Sequence, residues 1–171
     1  MKKSLAVFFA ISLIAAIAAA NDHGPSGPGF FVGPEGGLTV GPDGTVYLTS
    51  TAVVNNVATT TIKAIRSTGV VAWTASIAGR DHFTLSNGNL LTVSESTATD
   101  GTATSTITAI STASGATAWT RTLNGRVGEL HPFSGGTYAE VVVPATTTGG
   151  TATRSLVAIG NDGTVLWTLA L

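Results

Sequence analysis

Ala64–Trp73 reads AIRSTGVVAW, Ala109–Trp119 reads AISTASGATAW and Ala158–Trp167 reads AIGNDGTVLW, so one pattern occurs three times in this chain. Each copy opens on Ala-Ile, passes through a glycine and closes on a tryptophan, and the tryptophans are 46 and 48 residues apart. A period in the forties, written in strand-forming and turn-forming residues, is typical of the blades of a β-propeller. The repeat therefore predicts an architecture before it indicates any function.

Pairs of turn-forming residues divide each copy into four short runs. The pairs, in three matching sets, are Asp43-Gly44, Asn87-Gly88 and Gly135-Gly136, then Asn55-Asn56, Asp100-Gly101 and Gly149-Gly150, then Thr68-Gly69, Ser114-Gly115 and Asp162-Gly163. Such dipeptides supply the positive φ of tight hairpins, and the alternation of apolar residues with Thr or Ser in 60–65 and 105–110 has the period of a half-buried strand. We therefore predict an all-β, propeller-like fold of three four-stranded antiparallel meander blades, at about 38–79, 80–125 and 126–171, in an incomplete ring.

Residues 1–20 have the pattern of a secretory signal peptide. Lys2 and Lys3 precede an apolar, Ala-rich run, and 18–20 is an A-x-A cleavage site. The run is shorter than the about 20 strongly apolar residues of a transmembrane helix. We expect a secreted or periplasmic protein that does not insert in a membrane after the signal is cleaved.

A Gly/Pro-rich leader, residues 21–37, follows the signal and resists both helix and sheet. Its apolar island, 30–32, is expected either to dock on the domain or to pair as an extra strand.

Composition excludes several classes of function. The chain has no cysteine, so disulfides, thiolate metal sites and cysteine nucleophiles are absent. Without Lys2 and Lys3, six scattered basic residues remain against nine acidic ones, a formal charge of −3. This balance gives no electrostatic footprint for nucleic acid. The 29 threonines make the polar surface rich in hydroxyl groups rather than charges.

The repeated motif, Ala-x followed by Gly-x-x-x-Trp, resembles the PQQ-like propeller repeat of the quinoprotein alcohol dehydrogenase-like superfamily, over about residues 36–171. In that family the tryptophan closes the outer strand and packs against the next blade. The resemblance implies this blade-packing role for Trp73, Trp119 and Trp167.

The family's usual Asp, two positions after the Ala, is replaced here by Arg66, Ser111 and Gly160. The chain therefore resembles the degenerate members, which include periplasmic scaffold proteins that bind no cofactor, more than the dehydrogenases. We expect no cofactor.

The number of blades is the main difficulty, because closed propellers typically have four to eight and this chain encodes three. Blades from two or more chains could complete a ring, three sheets could pack into an open or tightly wrapped unit, or the sequence could be a fragment of a longer gene. Open end blades would expose apolar faces and strand edges, which natural proteins rarely leave bare. We therefore expect a homo-oligomer or a complex with another protein.

One polar constellation recurs where the second and third blades begin. Each occurrence combines a carboxylate with an imidazole on the way into the innermost strand, and the four residues are Asp81, His82, Glu129 and His131. Such a set could bind a divalent metal or supply an acid–base pair. The alternative is a set of solvated loop residues, with Arg80–Asp81 and Arg126–Glu129 as exposed ion pairs.

Other candidate sites are weaker. Asp43, Asp100 and Asp162 each precede a glycine in a turn, where they serve hairpin geometry before any calcium ion. No G-x-S-x-G motif occurs, and no catalytic residue is predicted. The sequence thus favours an exported, non-enzymatic binding or scaffold protein. The alternatives are a fragment of a quinoprotein-type oxidoreductase and a self-assembling surface or structural protein.

Overall fold

The computed structural model describes residues 30–31, 37–54, 57–78, 83–145 and 150–171. Every regular element in these ranges is a β-strand, and no helix there is long and apolar enough to cross a membrane. The strands are β1 (Phe30–Phe31), β2 (Gly37–Val40), β3 (Val46–Val54), β4 (Val57–Ile65), β5 (Val71–Ala78), β6 (Phe83–Ser86), β7 (Asn89–Thr97), β8 (Ala103–Ser111), β9 (Thr117–Asn124), β10 (Arg126–Phe133), β11 (Gly136–Val143), β12 (Thr153–Gly160) and β13 (Val165–Ala170).

The strands form three separate antiparallel meanders. Strands β2–β5 make the first blade, β6–β9 the second and β10–β13 the third, each in sequence order. The predicted all-β fold of three four-stranded meanders in an incomplete propeller-like arrangement is confirmed. The short strand β1 pairs with β2, with Phe30 opposite Leu38, so the apolar island of the leader adds a fifth strand to the first sheet.

The predicted turn at Asn87-Gly88 has the backbone geometry that its residues favour. Asn87 and Gly88 have φ of 46° and 78° and join Ser86 to Asn89 in a two-residue hairpin. Two successive positive φ values are the signature of a type I′ turn, whose twist matches that of the flanking strands. The hairpin between β6 and β7 is therefore fixed by these two residues.

A β-bulge recurs in the last hairpin of every blade. The register shifts next to Ala64, Ala109 and Ala158, immediately after each pairs with its own blade's tryptophan. These alanines are fully buried, at 0% exposure. A bulge twists its strand and re-aims the side chain beside it, so each tryptophan lies opposite a methyl group at the same point of its blade.

Each blade has two faces, which we name by their neighbours in the chain. The trailing face carries the tryptophan and points towards the following blade, and the leading face carries the Ile of the Ala-Ile pair and points towards the preceding blade. Two apolar clusters fill the spaces between blades. The first comprises Tyr47, Ile62, Ala64, Leu90 and Ile110, with Trp73, Ile77, Phe83 and Leu85 packed against it; the second comprises Ile107, Val127, Ala139, Val141, Val157 and Ile159, with Val93, Trp119, Leu123 and Leu130.

The step from the second blade to the third is held by one buried hydroxyl group. Ser105 is fully buried, its Oγ donates to the carbonyl of Gly125 at 2.9 Å, and it accepts from the backbone N–H of Val127 at 3.0 Å. The crossover that begins the third blade is therefore anchored to the third strand of the second.

Candidate functional site

The predicted polar constellation is only partly within the described residues. Asp81 and His82 lie outside them. Glu129 and His131 lie on β10, with His131 Nε2 at 3.3 Å from Glu129 Oε2 and side-chain exposures of 59% and 77% for the histidine and the glutamate. Glu129 thus contacts His131, not Arg126 as the ion-pair alternative expected. A pair this exposed contributes little to stability because water screens it.

This pair does not form a metal centre within the part of the chain that is described. A metal cluster of three or more His, Cys, Asp or Glu side chains is absent there. Structural and catalytic zinc sites use three or four protein ligands, and Glu129 and His131 supply two. The metal-binding hypothesis for the four residues stays a prediction that depends on Asp81 and His82.

The three turn aspartates are engaged by the turns themselves. Asp43 accepts from the backbone N–H of Thr45 at 3.0 Å and from its hydroxyl at 2.8 Å, and Asp162 does the same with Thr164 at 3.0 and 2.7 Å. Asp100 accepts from the backbone N–H of Thr102 at 2.8 Å. These hydrogen bonds lower the pKa of all three carboxyl groups because they favour the charged form. The carboxylates therefore form hydrogen bonds within their own turns and stabilise them.

The crevice between the second and third blades is a joint and not a pocket. It is lined by Leu91 and Trp119 and by polar residues and glycines of both blades, and it has no room for a water molecule. Asn87 crosses the crevice, donating to the carbonyl of Phe133 at 2.7 Å and to Asn161 Oδ1 at 2.8 Å. Ser86, buried beside it, donates to the carbonyl of Gly136 at 3.1 Å. These bonds lock the second blade to the third.

Trp73 makes the contact that joins the first blade to the second. Its indole N–H donates to the carbonyl of Thr112 at 2.8 Å. Gly115 lies against the ring so closely that a Cβ there would be 2.6 Å from indole Cε3. Because real Cβ atoms never approach so near, only glycine fits this position, and its φ of 74° suits glycine as well.

Trp119 repeats the contact one blade further along. Its indole N–H donates to the carbonyl of Asn161 at 2.8 Å, and a Cβ on Gly163 would lie 2.8 Å from indole Cδ2. Arg121, two residues on, adds a 2.7 Å hydrogen bond from Nε to the carbonyl of Gly163. The Gly and the Trp of the repeated motif are therefore the two sides of one contact between successive blades.

Trp167 has the same place in the third blade and a different environment. It is 44% exposed, and within the described residues its indole N–H has no acceptor. Its ring lies on Tyr138 of its own blade, with centroids 5.6 Å apart. The blade-packing role predicted for Trp167 has no partner in the described chain and stays a prediction.

Exposed apolar side chains concentrate in the two outer blades. Among the described residues, the second blade contributes none of the large exposed hydrophobic residues, which are Val40, Leu48, Val53, Val70, Val71, Val143, Val165, Leu166, Trp167, Leu169 and Leu171. The second blade is covered on both sides, whereas the first blade has a bare leading face and the third a bare trailing face. Exposed apolar residues grouped on one face of this kind mark candidate interaction sites.

The sequence predicts that open end blades expose apolar faces, but it does not identify the residues that form the bare leading face of the first blade. Its exposed members, Val40, Leu48 and Val71, alternate in their strands as core residues do, and each pairs into the same face by register. The signal that identifies Leu48 among them is the repeat itself. Aligning the blades by their Ala-Trp pairs shows that the positions equivalent to Leu48, which are Thr92 and Ala139, are buried, whereas Thr117 and Val165, equivalent to Val71, are exposed as Val71 is.

Comparison with protein-family models finds no match for this chain, and comparison with curated proteins finds no significant match.

Proposed function

We propose that this chain is an exported, non-enzymatic binding or scaffold protein that works through the end faces of its incomplete propeller of PQQ-like blades. The observation that carries the proposal is the exposure of Trp167 and Leu169, at 44% and 55%, along one face of the last strand, and of Leu171, at 70%, directly after it. These residues alternate, so they share the trailing face of the third blade.

The inner blades provide the reference for this surface. The residues in the same places on β5 are Trp73, Ala75 and Ile77, and all three are half-buried by the next blade. On β9 they are Trp119, Arg121 and Leu123, again half-buried. The trailing face is covered in the first and second blades and bare in the third. We therefore expect a partner to cover it on the third blade.

The predicted export favours a binding role outside the cytoplasm. The signal-like pattern of residues 1–20 and the low-charge, hydroxyl-rich composition are both consistent with an extracytoplasmic binding protein. We expect the mature protein to begin at Asn21, which N-terminal sequencing of exported material will show.

A photocrosslinking amino acid placed at Leu169 tests the proposal in cells that export the full chain. We expect protein adducts from position 169 and none from position 129, which is also exposed but lies on β10. The absence of adducts from position 169 in folded, exported protein would contradict a binding role for the trailing face.

A further inference from the structure

The bare trailing face of the third blade and the bare leading face of the first are two halves of one interface. We propose that the occupant of the trailing face is a second copy of this chain, whose Gly69 turn lies on Trp167 as Gly115 lies on Trp73. This inference rests on the proposed function and names its partner.

Trp167 already has the pose of a docked tryptophan. Its ring is tilted 42° against Tyr138 at a centroid distance of 5.6 Å, and Trp73 is tilted 39° against Tyr47 at 5.8 Å. Trp73 is covered by the second blade, whereas Trp167 is bare. Because the pose is the same in both cases, the third blade holds Trp167 ready for a partner with no rearrangement.

The first blade carries the matching receptor. Its turn closes through hydrogen bonds from Gly69 N to Arg66 O at 2.8 Å and from Arg66 N to Val70 O at 2.9 Å. The turn that receives Trp119 closes in the same way, from Gly163 N to Gly160 O at 2.9 Å and from Gly160 N to Thr164 O at 2.8 Å.

The glycines of the two turns also agree, with φ of 79° at Gly69 and 82° at Gly163. Gly163 is buried by its tryptophan, whereas Gly69 is exposed. By position in the turn, the carbonyl of Ser67 corresponds to that of Asn161, the acceptor of the Trp119 indole. We therefore expect the Trp167 N–H of one copy to donate to Ser67 of the other.

The apolar residues around the two halves also match. Leu48 pairs with Leu38 on the leading face of the first blade and is 36% exposed. Its counterpart on the third blade, Ala139, is fully buried against the second. Leu169 and Leu171 would cover this leading face in the second copy, as Leu123 covers the leading face of the third blade.

One pair of charges fits the same docking. Lys63, exposed on the leading face of the first blade, has the position of Val157 in the third blade. Glu140, on the trailing face of the third blade, has the position of Val93 in the second. Val93 and Val157 belong to the same inter-blade cluster. Glu140 already pairs with Arg154 of its own blade, so docking of two copies adds Lys63 beside an existing ion pair where the inner interface has two valines.

The contact is head to tail, so a pair of copies uses it twice. Two chains of three blades give six, which lies within the four to eight blades of closed propellers. A heterologous contact that closes forms a ring. We expect a dimer with a two-fold axis along its channel.

The test measures the mass of the purified full chain by light scattering, against the subunit mass from mass spectrometry. We expect twice the subunit mass for the wild type, and a monomer for Trp167→Ala and for Gly69→Asn. Asn tolerates positive φ, so the second change adds a side chain beneath the indole and preserves the turn.

Two matched controls separate docking from general damage. Val165→Ala shortens a side chain of similar exposure, 42%, on the opposite face of β13, and Gly101→Asn changes a glycine with φ of 84° and no neighbour within 4 Å. Both should remain dimers. Circular dichroism should show all four variants folded.

Mixing the two monomeric variants tests the head-to-tail direction. The Gly69→Asn chain retains Trp167 and the Trp167→Ala chain retains Gly69, so one intact contact forms in the mixture. We expect a one-to-one heterodimer, and no association of the double variant with itself.

Wild-type protein supplies a measurement that needs no variant. Lys63 is the sole lysine after residue 3, so a zero-length carbodiimide crosslink between Lys63 and Glu140 in the dimer band reports the docking directly. A monomeric wild type, or a dimer unaffected by Trp167→Ala and Gly69→Asn, would overturn the inference. If position 169 crosslinks to another protein instead, the second copy is wrong and the binding function stands.

Discussion

The indole N–H of Trp119 donates to the carbonyl of Asn161, and the same indole ring lies on Gly163 two residues further on. One side chain of the second blade thus donates a hydrogen bond to a turn of the third blade and packs against the backbone of the same turn. The hydrogen bond fixes the position of the turn along the indole plane, and the missing Cβ of Gly163 lets the backbone approach the ring. Trp73 makes the same two contacts, a hydrogen bond to Thr112 and packing on Gly115. The Gly and the Trp of the repeated motif therefore determine how closely successive blades pack.

Truncating the docked and the bare tryptophan should have very different effects on stability. Trp119→Ala should lower the free energy of unfolding by about 3–5 kcal/mol, because it empties an inter-blade contact and leaves the Asn161 carbonyl without its donor. Trp167→Ala should cost much less in the monomer, since this side chain is 44% exposed. Urea unfolding of both variants at a concentration where the wild type is monomeric measures the difference, and equal losses would contradict it.

The glycine under each tryptophan should tolerate no side chain. Gly163→Ala combines a positive φ of 82° with a Cβ that would lie 2.8 Å from the Trp119 ring. Gly101→Ala has a similar φ, 84°, and nothing within 4 Å, so it isolates the backbone cost, about 1–2 kcal/mol. Thermal unfolding should show a larger loss for Gly163→Ala. If the two losses are equal, the tryptophan is not held by the glycine.

The hydroxyl of Ser105 should be needed for the crossover into the third blade. Ser105→Ala leaves the N–H of Val127 and the carbonyl of Gly125 buried without this partner, which costs about 1–3 kcal/mol. Thr106→Ala, on the neighbouring half-buried position with a hydroxyl contact to Thr122, is the matched control and should change little. Denaturant unfolding of the two variants makes the comparison, and a neutral Ser105→Ala would show that water replaces the hydroxyl.

The sequence predicted the three four-stranded blades and most of the turns that lie within the described residues, because these depend on local residue chemistry. The turn predicted at Gly135-Gly136 lies instead at Ser134-Gly135, with Gly136 in β11, and Asn55-Asn56 and Gly149 lie outside the described residues. Asn-Gly and Asp-Gly pairs between strands favour tight turns, as at Asn87-Gly88 and Asp162-Gly163. The inter-blade contacts needed more than local chemistry. That Ser105 anchors the third blade, or that Leu48 is bare while Ala139 is buried, depends on which strands come together in space, and alternation alone does not distinguish a covered face from an open one.

The turn carboxylates should make stability fall in acid. The hydroxyl of Thr164 and then its backbone N–H hold the pKa of Asp162 below the ordinary value. A depressed folded-state pKa contributes stability above the unfolded value, about 3.9, and that stability is lost as pH falls towards the folded value. Asp162→Asn should therefore show a shallower loss of stability below about pH 4 than the wild type, measured by thermal unfolding across pH. Thr164→Ala, which removes only the hydroxyl donor, should lie between the two, and an unchanged acid slope in Asp162→Asn would contradict this role.

The Glu129–His131 pair should behave as a solvated surface pair. Replacing both His82 and His131 by alanine should leave the thermal unfolding midpoint within about 4 °C of the wild type, because an exposed pair contributes at most about 1 kcal/mol. Adding zinc should leave the wild-type midpoint unchanged, since a metal that binds the folded state tightly would raise it. A zinc-dependent rise in Tm that the double variant loses would show instead that Asp81, His82, Glu129 and His131 converge on a metal.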